Sequence, residues 1–140
     1  MTTHIPDHLR TLVQSRSGFR CEYCLMPESA TFLGCQVDHI IAEKHSGATD
    51  AENLAYACVY CNRFKGSDVG SIDPGDRSFV RFFNPRIDNW TDHFQCDGVS
   101  ILPITPIGRV TSRILRFNAL DRTVEREAVS GDGTWPYSTK

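Results

Sequence analysis

Long apolar runs are missing from this chain. No stretch in its 140 residues approaches the roughly 18 apolar residues that a membrane span needs, so membrane insertion is not expected. An excess of positive charge is missing too. Fifteen Lys and Arg stand against 17 Asp and Glu, a formal net charge of -2, which argues against a basic tail or a sequence-independent coating protein. Charge gathered on one face remains compatible with that total. The opening "MTTHIPDHLRTLVQSRSG" lacks the apolar core of a secretory signal, and a cytoplasmic location is the expectation. There is no internal repeat and no evident helix-turn-helix. What remains is one compact domain, or a small domain with an elaboration, carrying 40% hydrophobic residues for its core.

Cysteine, by contrast, is plentiful. Cys21 and Cys24 form one C-x2-C pair and Cys58 and Cys61 a second, while Cys35 and Cys96 stand alone. With no feature sending the chain to an oxidising compartment, the two pairs read better as four thiolate ligands of a structural zinc ion than as disulfides. Sharing one ion would close the 33 residues between Cys24 and Cys58 into a loop and supply folding free energy directly. A filled sulfur shell leaves no open position for catalysis. Cys35 and Cys96 read as small buried hydrophobes.

Hydrophobic periodicity and turn residues outline an α+β chain. Residues 5 to 17 suggest an amphipathic helix with Pro6 in its first turn, Leu9, Leu12 and Val13 on one face, and Gly18 as its terminator. "TFLGCQVDHII" (31 to 41) and "LAYAC" (54 to 58) read as strands, and "VYCNRFKGSD" as a turn entering a helix. Together they make a ββα unit hung on the cysteines. Residues 67 to 78 read as a connecting loop, "GVSILPI" as a strand, and 105 to 126 as a helix with Thr105 as its cap and Pro106 in the first turn. The expected organisation is a core over 1–70, an extension packed on it over 71–130, and a frayed end over 131–140.

A second constellation lies inside the ββα unit. Asp38 and Asn62 offer oxygen atoms suited to one hard cation, magnesium or manganese. His39 is suited to taking a proton from water near neutral pH, although neighbouring strand residues point to opposite faces unless the strand ends there. Asn53 could orient that imidazole or brace the loop before it. Lys65 and Arg63 are candidate phosphate contacts, and His45 stands nearby.

These residues carry a resemblance. "CEYC" followed by "VDHIIAEKHSGATDAENLAYACVYCNRFKG" resembles the zinc-containing branch of the HNH endonucleases over residues 19 to 68. The resemblance implies a ββα-metal fold and metal-assisted hydrolysis of phosphodiester bonds. It further implies Asp38 as a metal-binding acid, His39 as general base and Asn53 as the residue steadying the loop. Asn62 occupies the third signature position, often His in that family and sometimes Asn; an amide oxygen suits magnesium better than softer transition metals. Lys65 falls on the basic position of "N-x2-K". His45 resembles the second histidine of "H-x5-H" variants, with its role open between metal shell and phosphate contact.

Downstream, "FFNPRIDNWTDHF" and "TPIGRVTSRILRFN" resemble the C-terminal extension of a subset of compact bacterial HNH proteins. The aromatics Phe79, Phe82, Phe83, Trp90 and Phe94 should close a small core over the ββα unit. Arg109, Arg113 and Arg116 fall on one side of the proposed helix, opposite Val110, Ile114 and Phe117, as a solvated surface or a nucleic-acid contact. The expected activity is a metal-dependent endonuclease acting on DNA, with RNA also open and a monomer or homodimer undecided. The alternative is a non-catalytic zinc module binding nucleic acid or protein.

Overall fold

A computed structural model describes residues 4–131 and Trp135. Helix α1 (Asp7–Ser17) opens after Pro6, whose extended backbone makes it the cap rather than a first-turn residue. Gly18 closes the helix in the left-handed region at φ 69°, where the amides of Gly18 and Phe19 return to the carbonyls of Ser15 and Gln14. Val13 is buried, together with Ile5, against Leu54 and Tyr56, whereas Leu12, expected on the same face, is 43% exposed.

Strands β1 (Cys35–His39) and β2 (Leu54–Cys58) pair antiparallel, with His39 opposite Leu54 and Cys35 opposite Cys58. Every residue of β2 is buried, which suits its apolar run "LAYAC". The expected first strand is shorter than its apolar run, because residues 31–34 are irregular and Gly34 turns the chain at φ 81°. Helix α2 (Val59–Lys65) follows β2 directly, completing the expected ββα unit.

The segment expected as a plain connection over 67–78 holds part of a second hairpin. β3 (Gly70–Ile72) pairs with β4 (Phe79–Arg81), and between them the Asp73 carboxylate accepts from the Gly75 amide and the Asp76 carboxylate from Ser78. Three-residue strands leave too little alternation to read. A short helix α3 (Trp90–His93) leads into a third hairpin, β5 (Phe94–Asp97) with β6 (Ser100–Pro103).

Thr105 caps α4 (Pro106–Ile114) as expected, its hydroxyl accepting from the Gly108 amide at 3.0 Å. The expected single helix over 105–126 nevertheless breaks. Phe117 N–H returns to the Ser112 carbonyl and Arg116 N–H to that of Arg113, with Arg116 left-handed at φ 54°. Asn118 then brackets Ile101 by accepting its N–H and donating to its carbonyl, and α5 (Leu120–Ser130) starts afresh. Arg116 therefore lies outside the helix that carries Arg109 and Arg113.

One apolar cluster spans Cys21 and the knuckle residues Tyr23–Met26, with Ala55, Ala57, Phe82, Phe83, Trp90, Phe94, Ile101, Val110, Leu115, Phe117 and Trp135. Four of the five expected aromatics are in it, and Phe79 is 61% exposed. Trp135 lies in the stretch expected to be frayed and is fully buried; residues 132–134 and 136–140 are outside the described residues. No helix among the described residues is long and apolar enough to cross a membrane.

Candidate functional site

The four paired cysteines converge. Their sulfurs lie within 4.8 Å of one another, all buried, with Cys24 and Cys58 sulfurs 3.7 Å apart. Each C-x2-C turn folds its own backbone onto sulfur: Cys24 N–H donates to Cys21 Sγ at 3.5 Å and Cys61 N–H to Cys58 Sγ at 3.4 Å. Such amide bonds favour thiolates, and four thiolates in this arrangement fit one tetrahedral zinc ion. Cys35 and Cys96 are half-buried and outside the cluster. Burial pushes the thiols of both upward, which suits inert packing residues.

The extension closes this centre from behind. Trp90 donates its indole N–H to the Tyr23 carbonyl at 2.8 Å, and Trp135 donates its own to the Cys24 carbonyl at 3.0 Å. Arg122, 2% exposed, sends Nη2 to Cys61 Sγ at 3.2 Å and Cys58 Sγ at 3.7 Å. Sequence reasoning missed this role. The sequence pattern places Arg109, Arg113 and Arg116 on one side of a helix and gives Arg122 no role; in α5 it is Leu120 and Val124 that are exposed while Arg122 and Arg126 are buried.

Beside the C-terminal end of α2, where Lys65 reaches the His39 carbonyl, the Asp-His pair ends β1. A cavity of about 220 Å³ is lined by Asp38, His39, Ala42, Glu43, Lys44, Gly66 and Ser67. Alternation along the strand does not separate the pair, because β1 stops at His39 and both residues reach the cavity wall. His39 is buried, and its Nε2 lies 2.8 Å from the Thr49 hydroxyl. Thr49 carries no motif signal, being set by the fold of the loop alone.

Asn53 holds that loop. Its Oδ1 accepts from Ile41 N–H at 2.9 Å, and its Nδ2 donates to the carbonyls of Ile41 at 2.9 Å and Ala48 at 2.8 Å. A Cβ on Gly47 would meet the Ile41 carbonyl oxygen at 1.7 Å, so the loop passes where only glycine fits. Asn53 does not touch the His39 ring in this set of bonds; it fixes the backbone after it.

Lys65, expected at the surface, is 2% exposed. Its Nζ donates to the His39 carbonyl at 3.1 Å and lies 3.7 Å from Asp38 Oδ2. Burial raises the Asp38 carboxyl above its usual range, against the opposing pull of Lys65, and burial likewise lowers the Lys65 ammonium. Asp38 Oδ2 is buried and has no hydrogen-bond partner among the described residues. Asn62 is half-buried on α2, three residues before Lys65, and does not line the cavity. Arg63 and His45 are exposed, with His45 outside the cavity wall. Among the described residues, the four cysteines are the one group of three or more His, Cys, Asp and Glu side chains placed to hold a metal.

Residues 21–68 match the HNH endonuclease family model. They make an HNH-like ββα core. The match covers about a third of the chain and spans both cysteine pairs, the Asp-His pair, Asn53 and Asn62. No curated protein and no solved structure matches the chain. The HNH-like core thus joins a four-cysteine metal centre at the start of α2 to the Asp38–His39 cavity beside its C-terminal end.

Proposed function

We propose that the chain is a metal-dependent endonuclease that hydrolyses DNA phosphodiester bonds in a reducing compartment, the cytoplasm. The observation that carries this reading is the one cavity lined by both Asp38 and His39, where Asp38 Oδ2 makes no hydrogen bond among the described residues and the Lys65 ammonium lies 3.7 Å from it. Asp38 would hold a magnesium or manganese ion, with Asn62 as second oxygen donor from α2 once its side chain turns to the cavity it does not line here; such a set leaves places for water and phosphate. That ion would stabilise charge developing on the phosphoryl and leaving oxygens. In the tautomer whose Nε2–H donates to Thr49, His39 keeps its Nδ1 lone pair for a proton from the attacking water. Lys65 fixes the end of β1 through the His39 carbonyl and steadies Asp38. Phosphate contact then falls to exposed cations, Lys44 on the cavity rim and Arg63 on α2. Asn53 braces the loop that carries the rim. One such site nicks one strand; a double-strand break requires two events or a dimer.

The test is supercoiled-plasmid cleavage with magnesium, manganese or EDTA by the wild type and His39→Ala, both checked for zinc content and helical circular dichroism. The expected outcome is cation-dependent nicking that falls by about 100-fold or more in the variant. Equal cutting by both proteins sinks the assignment of His39.

A second reading, a non-catalytic zinc module, draws support from the Lys65 ammonium already beside Asp38 and from the absence, among the described residues, of a second His, Cys, Asp and Glu cluster. It predicts no cleavage of plasmid, single-stranded DNA or RNA. It also predicts no second metal equivalent that disappears in Asp38→Ala.

A further inference from the structure

A zinc ion held by four thiolates carries two net negative charges, and this centre is fully enclosed. Burying such charge is costly unless cations and hydrogen bonds answer it. The knuckle amides of Cys24 and Cys61 answer part of it. Arg122 and Arg126 of the extension bring positive charge near the cysteines, and Arg122 is the one that touches sulfur. Arg122 places one guanidinium nitrogen on the sulfurs of Cys61 and Cys58, and the other on the carbonyls of Leu115 at 2.9 Å and Arg116 at 3.3 Å. Its guanidinium carbon lies 5.1 Å from the ring centre of Tyr60, a residue between the two cysteines in sequence. Arg126, one turn on, is equally buried but bonds only oxygen: the carbonyls of Val99 and Phe117 and the Asn118 amide. The two arginines therefore differ in one respect that matters here, contact with sulfur.

We propose that Arg122 is a positioning residue of the zinc centre, through which the extension governs how slowly the HNH-like core releases its ion. The proposal rests on the four cysteines binding zinc and is independent of whether the Asp38–His39 cavity cuts DNA. One charged nitrogen on the sulfurs of Cys58 and Cys61 ties the second knuckle to α5 and answers part of the charge of the zinc–thiolate group, so those two ligands are held where they bind. A fork that also grips the Leu115 and Arg116 carbonyls cannot leave without opening the turn between α4 and α5. Lysine retains the charge but offers no planar fork to span both sets of partners.

The test measures zinc release to a chromogenic chelator from zinc-loaded wild type, Arg122→Met, Arg122→Lys and Arg126→Met, with melting temperatures taken alongside. The expected result is release at least about tenfold faster from Arg122→Met, intermediate from Arg122→Lys, and near the wild-type rate from Arg126→Met despite its lost stability. Equal rates for wild type and the Arg122 variants overturn the proposal. So does acceleration in both methionine variants in proportion to their lost melting temperature. A wild type that binds no zinc overturns the metal centre and the proposal together. Where Arg122→Met does not fold, Arg122→Lys decides alone: faster release than wild type supports the clamp, and an unchanged rate removes it.

Discussion

At the scale of single residues, Asn53 makes the sharpest case for how the loop behind His39 keeps its shape. It satisfies both backbone groups of Ile41 and the carbonyl of Ala48. Asn53→Ala leaves those groups without partners and should cost about 2 kcal/mol in denaturant unfolding, with a larger proportional loss of cleavage. Asn53→Asp should do no better, since a carboxylate accepts from Ile41 N–H but repels the two carbonyls. A wild-type urea midpoint in Asn53→Ala would end the bracing role. The motif pointed to Asn53 because an asparagine at a fixed distance from Asp-His is a sequence pattern; it did not point to Thr49, whose partner bond depends on where a polar loop happens to fold. Lys65 was visible as a position and misleading as a surface cation, because nothing in "CNRFKG" says that its ammonium turns inward to the His39 carbonyl.

Elements were legible where periodicity or a cap marked them and obscure where side chains did the marking. The run "LAYAC", the Thr105 cap and the Gly18 terminator all appear in the fold as their chemistry suggests. The break after α4 does not announce itself, because an arginine, Arg116, fills the left-handed position that glycine normally signals. Helix α5 inverts the usual amphipathic logic, exposing Leu120 and Val124 while burying Arg122 and Arg126, so its inward face is written in charge. The β3–β4 hairpin is held to α4 by charge as well. Arg109 donates to both oxygens of Asp73, at 3.2 and 3.0 Å. Those bonds, with the Gly75 amide, hold the Asp73 carboxyl below its usual value of 3.8. A depressed folded value means stability that is fully present above the usual value and lost as pH falls through the lowered one. Asp73→Asn should therefore melt below the wild type at neutral pH, and the gap should close as pH drops beneath about 4. A gap that stays constant across that acid range would show that the ion pair is not its source.

Across the whole molecule, the four-cysteine centre and the extension share one apolar core. The main apolar cluster runs without a break from the first knuckle to Trp135. Both tryptophans of the chain, Trp90 and Trp135, donate their indole N–H to adjacent carbonyls of that knuckle, those of Tyr23 and Cys24. Removing zinc lets the thiolates protonate, which strips Arg122 of the charge that justifies its burial and frees the knuckle backbone that both indoles hold. The extension should then unfold with the core rather than after it. Chelation of the full chain is expected to red-shift tryptophan emission and reduce the helical circular dichroism in one coincident transition, reversed by adding zinc back. Two separated transitions, with helix retained after the fluorescence change, would mean that α4 and α5 stand on their own core and that the extension is a neighbour of the zinc centre rather than part of it.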